Sequence, residues 1–171
     1  MVIIVFGLPG SGKSYFASRL AKKFKAWYVN SDGLRKELMP EPSYSTREKV
    51  SVYKAMLDMM TIAIGESQDI VLDATFYKKS IRNKFIATTE RLNEKLIFII
   101  IEADQNIIKE RLNEKRIFSE ADYQVFLKIK NEFESLEIDH LTLHSTQDNI
   151  EEMLEEAGNY IQLSNDRKTN S

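Results

Sequence analysis

Short unbroken apolar runs alternate along this chain with longer stretches in which apolar residues return every third or fourth position. The opening MVIIVF is a run of the first kind, rich in β-branched residues, the pattern of a strand covered on both faces. SYFASRLAKKF, just beyond it, carries Phe16, Leu20 and Phe24 at helical spacing. AWYVN predicts a second strand, and SDGLRKELM a short helix that Ser31 or Asp32 can cap before PEP breaks the chain. Ser45 and Glu48 have capping-box spacing, and Val52, Met56, Met59 and Ala63 form one apolar face of a helix reaching about Gly65.

The alternation then repeats. DIVLDA is a strand, KKSIRNKFIATTERLN a helix, KLIFIIIEA the longest apolar strand, and DQNIIKERLNEK a helix that Asp104 can cap. SEADYQVFLKIKNEF predicts a further helix, IDHLTLHS a strand nearer an edge, and TQDNIEEMLEEAGNYI a closing acidic helix. Five strands separated by helices predict an α/β fold: a five-stranded parallel sheet with helices on both faces and right-handed crossovers. The polar tail SNDRKTNS, 164–171, is expected to be disordered, leaving one domain over residues 1–163.

Composition narrows the class without naming a function. A chain of 171 residues with 43% hydrophobic content is sized for one core. Its 24 basic and 26 acidic residues leave a net charge of -2, so bulk charge advertises neither nucleic acid nor an acidic membrane. With no cysteine, disulfides and thiolate chemistry are excluded, in keeping with a reducing compartment. Met1 leads straight into VIIVF with no basic n-region, and no uncharged run approaches the roughly 18 residues of a membrane span, so the expectation is a cytoplasmic protein with no membrane partner.

The first turn carries the most specific chemistry. In GLPGSGKS, Gly7, Gly10 and Gly12 let backbone N–H groups converge on an anion, and the helix that follows adds the positive end of its dipole. Lys13 contributes a full charge, and the Ser14 hydroxyl falls where it can ligate the Mg²⁺ of a nucleoside triphosphate. Gly7, Leu8, Pro9, Gly10, Ser11, Gly12, Lys13 and Ser14, with Tyr15 behind them, are therefore the expected contacts to ATP, the strand before and helix after completing a P-loop.

Later segments bear on what the phosphates are used for. Asp32 and Arg35, three apart, share one face of the short helix. Asp32 is either its cap or a base that takes a proton from an acceptor hydroxyl; Arg35 is either solvated or holds an anionic part of the acceptor. Asp73 ends a buried strand, as an acid that serves Mg²⁺ or the acceptor does, or as a solvated terminus, and Thr75 stands in the adjoining loop. Arg111 and Arg116 lie at the end of a helix and just after it, as an ordinary charged face or as a flap over the transferring group. Arg35, Lys36, Arg47, Lys78, Lys79, Arg82 and Lys84 form a basic set around these loops, a groove for a polyanion or plain solvated surface. His140 and His144 share a strand face, read as packing or partner contact rather than metal, and Ser145 and Thr146 either meet adenine or cap the last helix.

Taken in order, GLPGSGKS, SDGLRKEL, VLDATF with Arg82 following, RLNEKR and SEADYQVFLKIKNEFE resemble the small P-loop kinases that include phage-type 5′-polynucleotide kinase, zeta toxins and chloramphenicol phosphotransferase. The resemblance spans roughly residues 1–160 and implies a P-loop NTPase fold with a mobile helical lid. It implies Asp32 as general base, Arg35 and Arg82 as acceptor ligands with Asp73 and Thr75, and Arg111 and Arg116 as flap arginines, one toward nucleotide and one on the developing charge. The implied activity is ATP- and Mg²⁺-dependent transfer to a hydroxyl, on a 5′-hydroxyl polynucleotide or nucleoside-type acceptor. A sugar or antibiotic kinase and a nucleotide-hydrolysing switch are the alternatives.

Overall fold

The computed structural model describes residues 1–39, 41, 43, 45–113 and 123–169. Its elements follow the predicted alternation: β1 (Val2–Phe6), α1 (Lys13–Phe24), β2 (Trp27–Asn30), α2 (Ser31–Leu38), α3 (Thr46–Gly65), β3 (Ile70–Asp73), α4 (Lys79–Arg91), β4 (Leu96–Glu102), α5 (Gln105–Asn113), α6 (Tyr123–Glu132), β5 (Leu141–His144) and α7 (Ile150–Thr169). Every strand pairing is parallel, and the order across the sheet is β2-β3-β1-β4-β5.

β1 is central, which explains its unbroken apolar run. Val2, Ile4 and Phe6 pack into one cluster with Val52 and Met56 of α3 and Phe85 of α4; Ile3 and Val5 pack into the other with Phe16 and Leu20 of α1 and Leu154 and Ile161 of α7. A residue facing either way on this strand meets a covered core, so no polar alternation is possible. On α3 the buried stripe is Val52, Met56, Met60 and Ala63, with the expected Met59 at its half-buried edge: the helix is rotated by part of a turn against the sheet.

Caps follow local chemistry with two departures. Ser45 caps α3, its hydroxyl accepting from the Glu48 amide at 3.3 Å, and the Asp104 carboxylate accepts from the Asn106 amide at 2.8 Å ahead of α5. α2 is capped by Asn30, whose side-chain oxygen accepts from the Gly33 amide at 2.8 Å; Ser31 and Asp32 already lie inside the helix. α7 continues to Thr169, past the boundary drawn at residue 163 from polarity alone, with the Ser164 hydroxyl donating to the Tyr160 carbonyl at 2.7 Å. Among the described residues, no helix is long and apolar enough to cross a membrane.

The strand order fixes where a ligand can sit. β1 leads through α1 toward β2 on one side, whereas β4 leads through α5 toward β5 on the other. The chain therefore diverges between the carboxyl ends of β1 and β4, the point at which open α/β sheets leave a crevice.

Candidate functional site

Between β1 and α1 the backbone turns through Gly7, Gly10 and Gly12 at φ of 149°, 82° and 92°. Space as well as torsion demands glycine here. A Cβ on Gly7 would stand 2.3 Å from the Ile101 carbonyl oxygen, and one on Gly12 would stand 2.8 Å from Ser145 Oγ. Gly12 is the N-cap of α1 and supplies no side-chain acceptor, and the first turn holds no acidic residue. The amides at this helix start are thus left for an external anion. Lys13 folds across the loop, its Nζ 3.5 Å from the Leu8 carbonyl oxygen.

Parallel register carries the acid of β3 to this loop. Asp73 pairs with Val5 of β1 on one side and Asn30 of β2 on the other. Its carboxylate is fully buried. Oδ2 accepts from the Tyr28 hydroxyl at 2.8 Å and the Asn30 Nδ2 at 2.6 Å, and that same nitrogen stands 3.4 Å from Ser14 Oγ. Oδ1 has no hydrogen-bond partner among the described residues. Burial, and then the negative charge of Asp73, push the Tyr28 phenol well above its ordinary range, so it stays a donor. A buried carboxylate with one oxygen unbonded, linked through Asn30 to the Ser14 hydroxyl, offers the oxygen donors that suit Mg²⁺, and Ser14 and Asp73 are the residues that would hold that ion.

Beyond it lie the loops assigned to the acceptor. Asp32 sits in the first turn of α2. Arg35 is buried, with Nη1 2.7 Å from Glu48 Oε1 of α3, and the Ser43 amide and hydroxyl donate to Glu48 Oε2. Burial alone would raise the Glu48 carboxyl; the Arg35 guanidinium and Ser43 outweigh it and hold it down at about 2. After β3, Phe76 takes a left-handed φ of 44° with its side chain buried. The Tyr53 hydroxyl accepts from its amide at 3.1 Å and lies 3.3 Å from Thr75 Oγ1, fixing this loop against α3.

Two arginines serve the frame more visibly than a ligand. Arg82, expected at the acceptor, is 2% exposed; its guanidinium donates to the carbonyls of Phe76, Glu134 and Ser135. That geometry clamps the β3–α4 loop to the chain after α6 and leaves little of the side chain for a substrate. Arg111 reaches from α5 to the phosphate loop, its Nη1 3.2 Å from the Ser11 carbonyl oxygen and 3.1 Å from Ser145 Oγ, its Nη2 2.6 Å from the Thr146 carbonyl oxygen. Burial lowers its pKa. Asn149, rather than Ser145 or Thr146, begins α7: its carbonyl accepts from the Met153 amide, and its side chain ties Thr146 to His144. Arg116, with most of the stretch proposed as lid, lies outside the described residues.

Within the basic set, Lys78 and Lys79 pair with Glu134 and Glu137. His140 Nδ1 meets the Ile138 carbonyl at 2.7 Å and exposed His144 lies 3.7 Å from Glu102; among the described residues no group of three His, Cys, Asp or Glu could hold a metal. A cavity of about 310 Å³ opens at the β1–β4 crevice, lined by Gly7, Leu8 and Ser11 of the phosphate loop, Glu102 and Ala103 at the end of β4, and Phe126, Lys130 and Phe133 from α6 and beyond.

Tyr28, Asn30, Glu48 and Tyr53 were missed as site residues in the sequence. Asn30 alone left a usable signal, as a polar residue ending a strand two positions before Asp32 of the D-x-x-R pair. The others face the site through register and helix packing.

Comparison with known proteins agrees with this layout. Residues 2–136 match the model of a family described as AAA domain. Among solved structures, the chain superposes on a gluconokinase from Sinorhizobium meliloti 1021 with a TM-score of 0.74 at 18% identity, over 99% of this chain and 97% of that one. It is similar to the APS kinase CysC of Mycobacterium tuberculosis bound to AMPPNP and APS, with a TM-score of 0.71 at 16% identity over 94% and 96% of the two chains. Kti12 of Chaetomium thermophilum, in complex with ADP-AlF3, aligns with a TM-score of 0.68 at 18% identity over 95% and 97%.

Proposed function

The chain belongs to the AAA domain family, and from that footing we propose that it is a P-loop kinase transferring the γ-phosphoryl group of ATP to the hydroxyl of a small-molecule acceptor. The observation that carries this reading is the buried Asp73, one oxygen held by Tyr28 and Asn30 and the other open, set beside Ser14 at the phosphate loop.

In this reading the loop amides and Lys13 hold the β- and γ-phosphates, and Ser14 and Asp73 hold Mg²⁺, which when bound offsets phosphate charge. Asp32, at the start of α2, accepts the proton of the acceptor hydroxyl as its oxygen bonds to the γ-phosphorus. The bond from that phosphorus to the bridging oxygen breaks, and ADP leaves with the electron pair. Arg35, held by Glu48, and Thr75, held by Tyr53, are assigned to the acceptor. Arg82 holds the β3–α4 loop in place. Arg111, bonded to Ser11, Ser145 and Thr146, is assigned to the nucleotide side, and Arg116 to the charge developing on the transferred group.

One observation favours a small acceptor over a polynucleotide 5′ end. Arg35, Lys78, Lys79 and Arg82, which would have lined a basic groove, are engaged with Glu48, Glu134, Glu137 and backbone carbonyls. Structures named as a gluconokinase and a sugar kinase share the fold, which is consistent with that class.

The test is transfer of radiolabelled γ-phosphate to a panel of sugars, nucleosides, aminoglycosides and 5′-hydroxyl oligonucleotides, with a Lys13→Ala control. Label on a sugar, nucleoside or aminoglycoside, absent from the control, is the expected result. Label on the oligonucleotide would transfer the assignment to a polynucleotide kinase, and free phosphate alone across the panel would favour a nucleotide-hydrolysing switch.

A further inference from the structure

The side chain of Asn30 makes contacts in two directions. Its oxygen accepts from the Gly33 amide at 2.8 Å, closing the first turn of α2. Its nitrogen donates to Asp73 Oδ2 at 2.6 Å and lies 3.4 Å from Ser14 Oγ. The amide cannot be turned over: the opposite orientation would set NH2 against the Gly33 N–H and oxygen against a carboxylate, two repulsive contacts in place of two bonds. Tyr28, two residues back on the same strand face, supplies the second donor to Oδ2 at 2.8 Å and takes no part in the cap.

The consequence for Asp73 is geometric. With Oδ2 held by two donors, the carboxylate cannot rotate, and Oδ1 stays buried and open. The consequence for α2 is equally direct, because a helix of eight residues that carries Asp32 in its first turn begins on this one side chain. We propose that Asn30 is a positioning residue that locks the helix carrying Asp32 to the Ser14–Asp73 pair, capping the one with its oxygen and orienting the other with its NH2. The inference rests on the nucleotide reading of the site given above, and adds a coupling between its acceptor side and its metal side.

Two substitutions separate the roles. Asn30→Ser retains a good cap residue and gives up the NH2; Asn30→Ala gives up both. The readouts are the MgCl₂ concentration that half-saturates binding of a fluorescent, non-hydrolysable ATP analogue, and hydrogen exchange of the α2 amides. Asn30→Ser is expected to keep α2 protected while raising the half-saturating Mg²⁺ about tenfold, the scale seen when a group orienting a metal ligand is lost. Asn30→Ala is expected to show the same Mg²⁺ shift with faster exchange in α2. Tyr28→Phe, which leaves the cap intact, should move the Mg²⁺ requirement in the same direction. Wild-type Mg²⁺ dependence in Asn30→Ser, or unaltered α2 exchange in Asn30→Ala, would overturn the coupling while the nucleotide reading stood. Analogue binding by the wild-type protein that ignores Mg²⁺ would sink that reading and the coupling with it.

Discussion

Asp73 and Asp32 are both acids at the carboxyl edge of the sheet, yet their surroundings differ. Asp73 is fully buried and held by Tyr28 and Asn30, so its orientation is fixed. Asp32 is half-buried on the first turn of a helix, where a carboxylate is stabilised by the dipole. If Asp32 is the base, Asp32→Ala should lower transfer by about 10²–10⁴-fold while ATP-analogue affinity stays near wild type, as read by steady-state kinetics beside a binding titration. Equal losses in both would mean that the residue serves nucleotide binding instead.

At the scale of elements, α2 and α3 are joined by the buried Arg35–Glu48 pair. The carboxyl of Glu48 lies at about 2, below its ordinary 4.5. As pH falls, the unfolded chain takes up this proton first, so the stability the group contributes is complete above about 4.5 and is lost toward about 2. Urea midpoints measured from about pH 6 down to about pH 3 should therefore fall more steeply for wild type than for Glu48→Gln, the other carboxylates cancelling in the comparison. The β3–α4 loop depends on Arg82 in a different way, through hydrogen bonds to three carbonyls. Arg82→Met should strand these acceptors and cost about 3 kcal/mol, or roughly 10 °C in melting temperature by calorimetry. A change near zero would mean that water replaces the guanidinium at little cost.

For the whole molecule, the phosphate loop, the β3 acid and α2 meet because β3 lies between β2 and β1. A ligand bound at this junction meets the ends of three adjacent strands and should stabilise the fold as a unit. With Mg²⁺ and an ATP analogue at about 100 times its dissociation constant, the gain is about 2.7 kcal/mol, or roughly 5–10 °C. EDTA should remove most of that shift in a thermal melt, whereas an unchanged shift would separate nucleotide binding from the metal.

The elements themselves were legible along the chain because each is a local matter. The run Val2–Phe6 is apolar throughout, since a central parallel strand is covered on both faces, and the α3 stripe repeats at helical period because one side meets the sheet. The phosphate loop was legible for a similar reason: glycines, lysine and serine act within eight consecutive positions, Gly7 to Ser14. Side-chain partnerships were not. Asn30 and Asp73 meet across 43 residues of chain, and Arg82 and Ser135 across 53. Polarity marks such residues without naming their partners, so Arg82 reads like a surface cation and Tyr28 like one more strand aromatic. Which of them converge depends on strand order and register, and those are settled when distant elements pack together, beyond the reach of any local periodicity.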